Sequence, residues 1–365
     1  MIIAIIKILI SIYIMWKISS SFDLAANFLT RNWGEGLKGP TVNAIASSLP
    51  ELLITFMFLF YFGNLEGFSA GYATIIGSSI FNIACIPVIS FLVVYLSNKH
   101  IKFKVNRSIV LQDGTFLLLS IILLSVGLLY GVNKYLAVSL ILLYISYVYF
   151  IYKKRKSENS VTLKINLEQK FNRGKKSYIN SIINIRLFNI LSLSKLTKTN
   201  SWIVIIISVL LIGGSCWLLI EVVETISKDY GVNLFVSAFV IAAIASSIPD
   251  TILSVKDAEN EKFADSFSNS YGSNIFDICI GIGLPVLIYT LIHGPIQTNI
   301  PIERLNILGL GDYILNGNII MWSVLLLFIF TTLISIIYYF YELNVKTSII
   351  IISLYLLFII GLIIF

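Results

Sequence analysis

The chain has 365 residues, 57% of them hydrophobic and only 12% charged, with a formal net charge of +7; its mean hydropathy is +0.90. A soluble globular domain carries about 25% charged residues, so this composition excludes a water-soluble surface and defines an integral, polytopic membrane protein.

Apolar runs of roughly 20 residues, each enough to cross ~30 Å of hydrocarbon, recur along the chain. Ten spans are predicted, at 2–28, 38–62, 69–97, 108–131, 134–152, 201–227, 232–256, 263–292, 317–341 and 346–365. The first reads as a retained helix rather than a signal peptide: it is apolar from Met1, carries Lys17 inside, and no small-residue cleavage pattern follows it. With no long polar segment, no appended soluble domain is expected. The fold class is therefore all-α membrane, with ten transmembrane helices.

The sizeable polar segment, 153–200, is basic. Residues 153–198 hold twelve Lys or Arg against Glu158 and Glu168, and the next most basic loop carries Lys99, Lys102, Lys104 and Arg107. With ten spans both loops fall on one side, which the positive-inside rule makes cytoplasmic. Both termini then lie outside, most simply in a plasma (inner) membrane. The basic linker lacks interleaved aromatics and flanks spans, so topology and contact with anionic membrane lipid are expected of it, not nucleic-acid binding. Cys85, Cys216 and Cys279 all fall within spans, with no metal-ligand spacing; packing is their expected role. No cofactor is expected, and the residues favour no particular oligomer over a monomer.

Two strings recur in order. A-I-A-S-S-L-P-E at 44–51 returns as A-I-A-S-S-I-P-D at 243–250, and G-S-S-I-F-N-I at 77–83 returns as G-S-N-I-F-D-I at 272–278. The repeated unit spans five crossings, 1–152 and 201–365, with 153–200 between them. An odd number of crossings inverts the second copy, which predicts two inverted five-helix repeats with an ion site at their interface near the midplane.

Glu51 and Asp250 sit mid-span, where an ionised carboxylate costs roughly 2.5–3.5 kcal/mol on insertion scales; a bound cation offsets that cost. Pro50 and Pro249 lack an N–H, so the carbonyls of Ala46 and Ala245 lose their helical donors. Ser47, Ser48, Ser246 and Ser247 fill the same turns. Ser47 with Glu51, Ser246 with Asp250, Ser78 with Asn82, and Ser273 with Asp277 each stand four residues apart on one helix face. Gly77 and Gly272 permit close helix approach. Every candidate ligand is an oxygen, which suits Ca²⁺, Mg²⁺ and Na⁺ rather than Zn²⁺ or Cu²⁺.

The two motifs resemble the α-repeats of the cation/Ca²⁺ exchanger superfamily, here at 41–90 and 237–287. The resemblance implies Na⁺/Ca²⁺ antiport by alternating access. Glu51 and Asp250 would be the central Ca²⁺ ligands. Ser47, Ser246, Ser78, Ser273, Asn82 and Asp277 would complete Na⁺ or K⁺ positions, and the carbonyls of Ala44 and Ala243 are further candidates. The family's usual Gly-Thr is Ala46-Ser47 and Ala245-Ser246 here, and the second acid is Asp rather than Glu. The second copy resembles the K⁺-dependent Na⁺/Ca²⁺ exchanger branch. Glu51, Asp250 and Asp277 total −3 if all ionise; Ca²⁺ with one K⁺, or Ca²⁺ with a proton on Asp277, neutralises them.

Rival readings leave residue signatures. An H⁺/Ca²⁺ or other divalent exchanger would use the same ligands, as would a cation channel. Gly309–Asp312 reads G-L-G-D and resembles an intramembrane aspartyl protease motif, but Asp229-Tyr230 reverses the partner order and Pro-Ala-Leu is absent. Asp23, Arg107 and Asp113 are expected to be structural, as interfacial charges or as a helix-pairing set. Glu221 and Glu224 are expected at a solvated helix end, and Lys256, Asp257, Glu259, Glu261 and Lys262 in a cytoplasmic turn.

Overall fold

A computed structural model describes residues 2–30, 44–97, 103, 105, 107–156, 180–193, 196–298 and 319–364. They form α1 (Ile2–Leu29), α2 (Ala44–Ser47), α3 (Leu49–Phe62), α4 (Asn64–Ser97), α5 (Arg107–Leu129), α6 (Lys134–Lys156), α7 (Leu187–Ile190) and α8 (Lys198–Tyr230). A long second set follows: α9 (Leu234–Ser237), the π turn π1 (Ala238–Ala242), α10 (Ala243–Ser246), α11 (Ile248–Glu259), α12 (Phe263–Phe276), the π turn π2 (Asp277–Ile282), α13 (Gly283–His293), α14 (Ile319–Phe340) and α15 (Val345–Ile364). Among the described residues there is no strand, only one isolated bridge between Val132 and Ile296.

Among the described residues eight helices are long and apolar enough to cross a membrane, counting Leu234–Glu259 and Phe263–His293 as continuous rods. Two shorter apolar helices, Leu49–Phe62 and Val345–Ile360, fall in the expected spans 38–62 and 346–365. The first is short because the rod breaks at Ser48, and because residues 38–43 lie outside the described set. So do most of the basic linker and the whole Gly309–Asp312 motif. The chain is a multi-pass integral membrane protein.

Burial sorts the helices into a core and a skirt. The apolar window of α4 is 72% buried and that of α1 only 17%. A helix apolar on all sides lies in a core or faces lipid; α4 does the former and α1 the latter. Helix α1 lies along α8, where Lys7 Nζ meets Glu221 Oε2 at 2.7 Å and Trp217 Nε1 donates to Glu221 Oε1 at 3.0 Å. Glu224 pairs with Lys228 at 2.6 Å. Both acids of this helix end are therefore satisfied by lysines.

Small residues let the core helices touch. A Cβ on Gly67 would strike the Phe58 carbonyl, and one on Gly71 would come within 3.0 Å of Thr55. These contacts fold α3 down onto α4 through the turn at Gly63, whose φ is +70°. A Cβ on Gly77 would overlap the Phe239 carbonyl. The two halves thus meet backbone to backbone at this point, as the glycine in the repeated string predicts. Ser268 Oγ donates to the buried Asp113 Oδ2 at 2.8 Å, tying α12 to α5; the exposed Arg107 lies 5.9 Å from the ring centre of Tyr339, and Asp23 accepts from Asn27 Nδ2 within α1 at 2.7 Å. The three cysteines are buried and free.

Candidate cation site

Each repeated Ser-Ser-Pro string breaks its rod. In the first half α2 ends at Ser47, Ser48 stands between the helices, and α3 begins with Pro50 in its first turn. In the second, Ser247 separates α10 from α11, again with proline in the first turn. Proline suits that place because the first-turn N–H has no helical acceptor to lose. Glu51 and Asp250 follow in the same first turns, where the positive helix end favours a carboxylate.

The two broken helices face α4 and α12 so that both repeats contribute to one buried cluster. Glu51, Asp250, Asp277, Asn82, Ser48, Ser78, Ser246, Ser247 and Ser273 are all 0% exposed, and Ser47 is 3% exposed. Ser78 Oγ donates to Glu51 Oε1 at 3.4 Å, and the equivalent Ser273 Oγ donates to Asp250 Oδ1 at 2.6 Å. Ser78 Oγ and Ser247 Oγ lie 2.9 Å apart across the two halves, so that either can turn its one proton to the other instead of to its acceptor. Asn82 Nδ2 donates to Ser78 Oγ at 3.3 Å and to Asn274 Oδ1 at 3.1 Å. Asp277 faces both Glu51 and Asp250, with the hydroxyls of Ser48 and Ser78 beside it.

Acceptors outnumber donors here. Among the described residues no hydrogen-bond partner reaches Glu51 Oε2, Asp250 Oδ2, Asn82 Oδ1, either oxygen of Asp277, or Ser48 Oγ. Buried carboxylates without a counter-charge cost several kcal/mol each, and the ion pairs among the described residues, Lys7–Glu221 and Lys228–Glu224, lie elsewhere. The cluster is built to receive positive charge. No three His, Cys, Asp or Glu side chains among the described residues stand close enough to hold a metal by themselves. Hydroxyl, amide and carbonyl oxygens must complete any coordination shell, as suits a hard cation.

The other sequence candidates sit beside this cluster in protein-bonded roles. The Ala44 carbonyl accepts from Ser48 N at 2.9 Å and from Ser47 Oγ at 3.5 Å. The Ala243 carbonyl accepts from Ser247 N at 3.2 Å, Ser246 Oγ at 3.2 Å and Ser247 Oγ at 2.9 Å. Either carbonyl can ligate a cation only by releasing a serine hydroxyl. A crevice of about 50 Å³ touches Ala46, Ser47 and Pro249, with Trp16, Ser20, Asp23 and Lys256 at its rim.

Sequence reasoning passed over two amides. Asn274 Nδ2 donates to the Ser79 carbonyl at 2.8 Å, so it ties α12 to α4 at the centre of the site. Asn269 Nδ2 donates to the Asp250 carbonyl at 3.2 Å and to Ser254 Oγ at 2.9 Å. Both were findable: Asn274 lies inside the second repeated string, and Asn269 stands four residues before Ser273 on the same face.

Against this geometry the family comparison is decisive. The family model for the sodium/calcium exchanger protein matches residues 3–153 and 200–364. The chain belongs to the sodium/calcium exchanger family. It is thus a member of the cation/Ca²⁺ exchanger superfamily and a transporter, not an enzyme. Curated exchangers match over shorter stretches. Sodium/potassium/calcium exchanger 2 of Mus musculus is 38% identical over 77 residues, 21% of this chain and 12% of that one. The magnesium/proton exchanger of Arabidopsis halleri subsp. halleri is 38% identical over 93 residues, 25% of this chain and 17% of that one. The matched stretch therefore spans under a fifth of those relatives' length. Among solved exchangers, the fold is similar to the H⁺/Ca²⁺ exchanger CAX (TM-score 0.63, 15% identity, 98% of this chain and 87% of that one) and the sodium-calcium exchanger NCX_Mj (TM-score 0.57, 19% identity, 98% and 97%).

Proposed function

We propose that this chain is a secondary antiporter exchanging Ca²⁺ for Na⁺ by alternating access, with both ions using the Glu51–Asp250 cluster. The observation that carries the reading is the set of buried oxygens without hydrogen-bond partners on Glu51, Asp250, Asp277 and Asn82, contributed by both halves of the chain. Ca²⁺ takes six to eight oxygen ligands. Ser47, Ser48, Ser78, Ser246, Ser247 and Ser273 supply neutral ones beside the acids, and Ala44 and Ala243 supply carbonyls. The family membership supports exchange rather than a channel. The ten-span plan, the inverted repeats 1–152 and 201–365, the outside termini, the cytoplasmic basic linker and the plasma-membrane location belong to the same proposal.

A second coupling is favoured by one observation. Among the described residues no hydrogen-bond partner reaches either oxygen of Asp277, which faces two other carboxylates. One Ca²⁺ leaves a site of three ionised acids at −1. That residual charge calls for K⁺, as in the sodium/potassium/calcium exchangers, or for a proton on Asp277, as proton-coupled relatives suggest. The test is ⁴⁵Ca²⁺ flux into proteoliposomes with Na⁺, K⁺ and H⁺ gradients imposed one at a time. Uptake driven by an outward Na⁺ gradient, and increased by K⁺, is expected. Uptake driven only by a pH gradient overturns Na⁺ coupling, and flux that needs no counter-ion overturns antiport.

A further inference from the structure

The structure holds a second, oppositely charged cavity that cation exchange does not use. It measures about 390 Å³ and lies between α1, residues 184–189 and the Lys256 end of α11. Among the described residues its charged lining is Lys17, Arg186 and Lys256, with no carboxylate.

The cavity is assembled from distant chain segments and held by polar contacts. Ser21 Oγ donates to the Ile185 carbonyl and accepts from Leu187 N, each at 3.2 Å. The Tyr13 hydroxyl donates to the Ile183 carbonyl. Lys17 Nζ lies 3.9 Å from a Trp16 ring centre and donates to Asn184 Oδ1 at 3.2 Å; Lys256 Nζ donates to Ser20 Oγ at 3.4 Å. Each ammonium is thus positioned by neutral partners and keeps further N–H donors. Among the described residues neither lysine nor Arg186 forms an ion pair. Three cations around one cavity repel one another, Lys256 less than the other two because Asp257 stands beside it, so an anion there gains from all three.

We propose that this cavity binds a phosphate-bearing anion, such as the headgroup of an anionic phospholipid. Its volume lies within the ~300–1,000 Å³ of ordinary ligand sites. Arg186 offers a planar fork that fits phosphate oxygens two at a time, and the lysines supply point charges. Leu24 and Phe188 give the cavity an apolar wall, and the sparsely buried face of α1 beside it is where acyl chains would lie. Trp16, Ser20 and Lys256 also rim the crevice that reaches Ser47, so on the exchange reading the bound anion neutralises a cation at the mouth of an ion route.

The test reads binding by thermal unfolding, not by transport, so its failure is distinguishable from failure of the exchange reading. The purified full chain, in neutral detergent, is titrated with dioctanoyl phosphatidylglycerol, dioctanoyl phosphatidylcholine and inorganic phosphate. A saturable rise in midpoint with phosphatidylglycerol and none with phosphatidylcholine is expected. Saturation by inorganic phosphate at comparable concentration would identify free phosphate as the source and leave the site standing. Lys256→Gln with Arg186→Gln should weaken apparent affinity at least about tenfold, since it removes two charge-assisted contacts to the anion. Arg186→Lys keeps the charge but loses the fork, so it is expected to fold and to weaken binding about threefold or more. Lys134→Gln with Lys346→Gln, at exposed positions outside the cavity, should leave affinity unchanged. The proposal is overturned if neither anion gives a saturable rise, if Arg186→Lys binds like wild type, or if the remote pair loses as much as the cavity pair.

Discussion

Replacing Glu51 by glutamine should move binding and stability in opposite directions. In the ion-free protein Glu51 Oε2 has no partner and Oε1 has one long contact of 3.4 Å from Ser78. Neutralising the side chain therefore sacrifices little hydrogen bonding. It removes an ionised group at bilayer depth, worth up to about 2.5–3.5 kcal/mol on insertion scales, and its repulsion with Asp250 and Asp277. Glu51→Gln should unfold at a higher temperature than wild type in EDTA. With Ca²⁺ bound, the same carboxylate is half of a buried charge pair, whose loss costs about 3–5 kcal/mol, or ~150- to 5,000-fold in affinity. At a Ca²⁺ concentration of 100 Kd, wild type gains ~2.7 kcal/mol from the ligand; the variant's gain falls below about 0.3 kcal/mol by the same relation. Thermal unfolding with and without Ca²⁺, beside ⁴⁵Ca²⁺ uptake in proteoliposomes, measures both. A variant less stable than wild type without ion, yet still stabilised by Ca²⁺, would refute the assignment of Glu51 as a ligand.

Asp250→Asn should likewise abolish uptake. Ser273→Ala removes the 2.6 Å bond to Asp250 Oδ1 and should weaken Ca²⁺ about ten- to 100-fold, as loss of a hydrogen bond to a charged group implies. Retained affinity would mean that Ser273 does not orient the acid. Asp277→Asn brings the site's charge to −2, which Ca²⁺ alone balances, so uptake by this variant should become indifferent to replacing K⁺ with an inert cation. Persistence of a K⁺ effect would move the K⁺ position elsewhere. Gly77→Val should block assembly of the two halves, because even a Cβ there overlaps the Phe239 carbonyl; wild-type yield and unfolding midpoint would contradict that packing.

The site was legible because its chemistry is repeated. Ser, Pro and an acid recur at matching places in two membrane-buried strings, and apolar packing has no use for that pattern. The breaks at Ser48 and Ser247 follow from the prolines, and the close approach at Gly77 from its missing Cβ. Asn274 and Asn269 were harder to see because amides bond to backbone carbonyls as readily as to side chains, and the sequence does not show which carbonyls are nearby. The π turns were not legible at all. Their residues, A-F-V-I-A and D-I-C-I-G-I, carry no composition that separates i+5 from i+4 pairing.

One of those π turns bears on the duplicated design. Pro87 in α4 and Pro285 in α13 follow Asn82 and Asp277 by five and eight residues, and each leaves the carbonyl four residues before it without its N–H. In the first half that carbonyl is Ile83, and α4 runs on as regular helix because Tyr338 Oη donates to it at 3.0 Å from α14. In the second half the carbonyl is Gly281, which lies within π2 (Asp277–Ile282) just before the proline. The two halves thus differ at the same place: the freed carbonyl of the first has an external donor, while that of the second lies in the π turn that begins at Asp277. It follows that Tyr338→Phe should cost about 1–3 kcal/mol, the penalty of a buried carbonyl left without its donor. Tyr271→Phe, which deletes a hydroxyl bonded only to Ser335 Oγ at 2.9 Å, should cost less. Thermal unfolding of both variants compares them directly; a Tyr338→Phe protein as stable as wild type would mean that the Ile83 carbonyl never needed capping, and the account of how α4 stays straight beside Asn82 would fail.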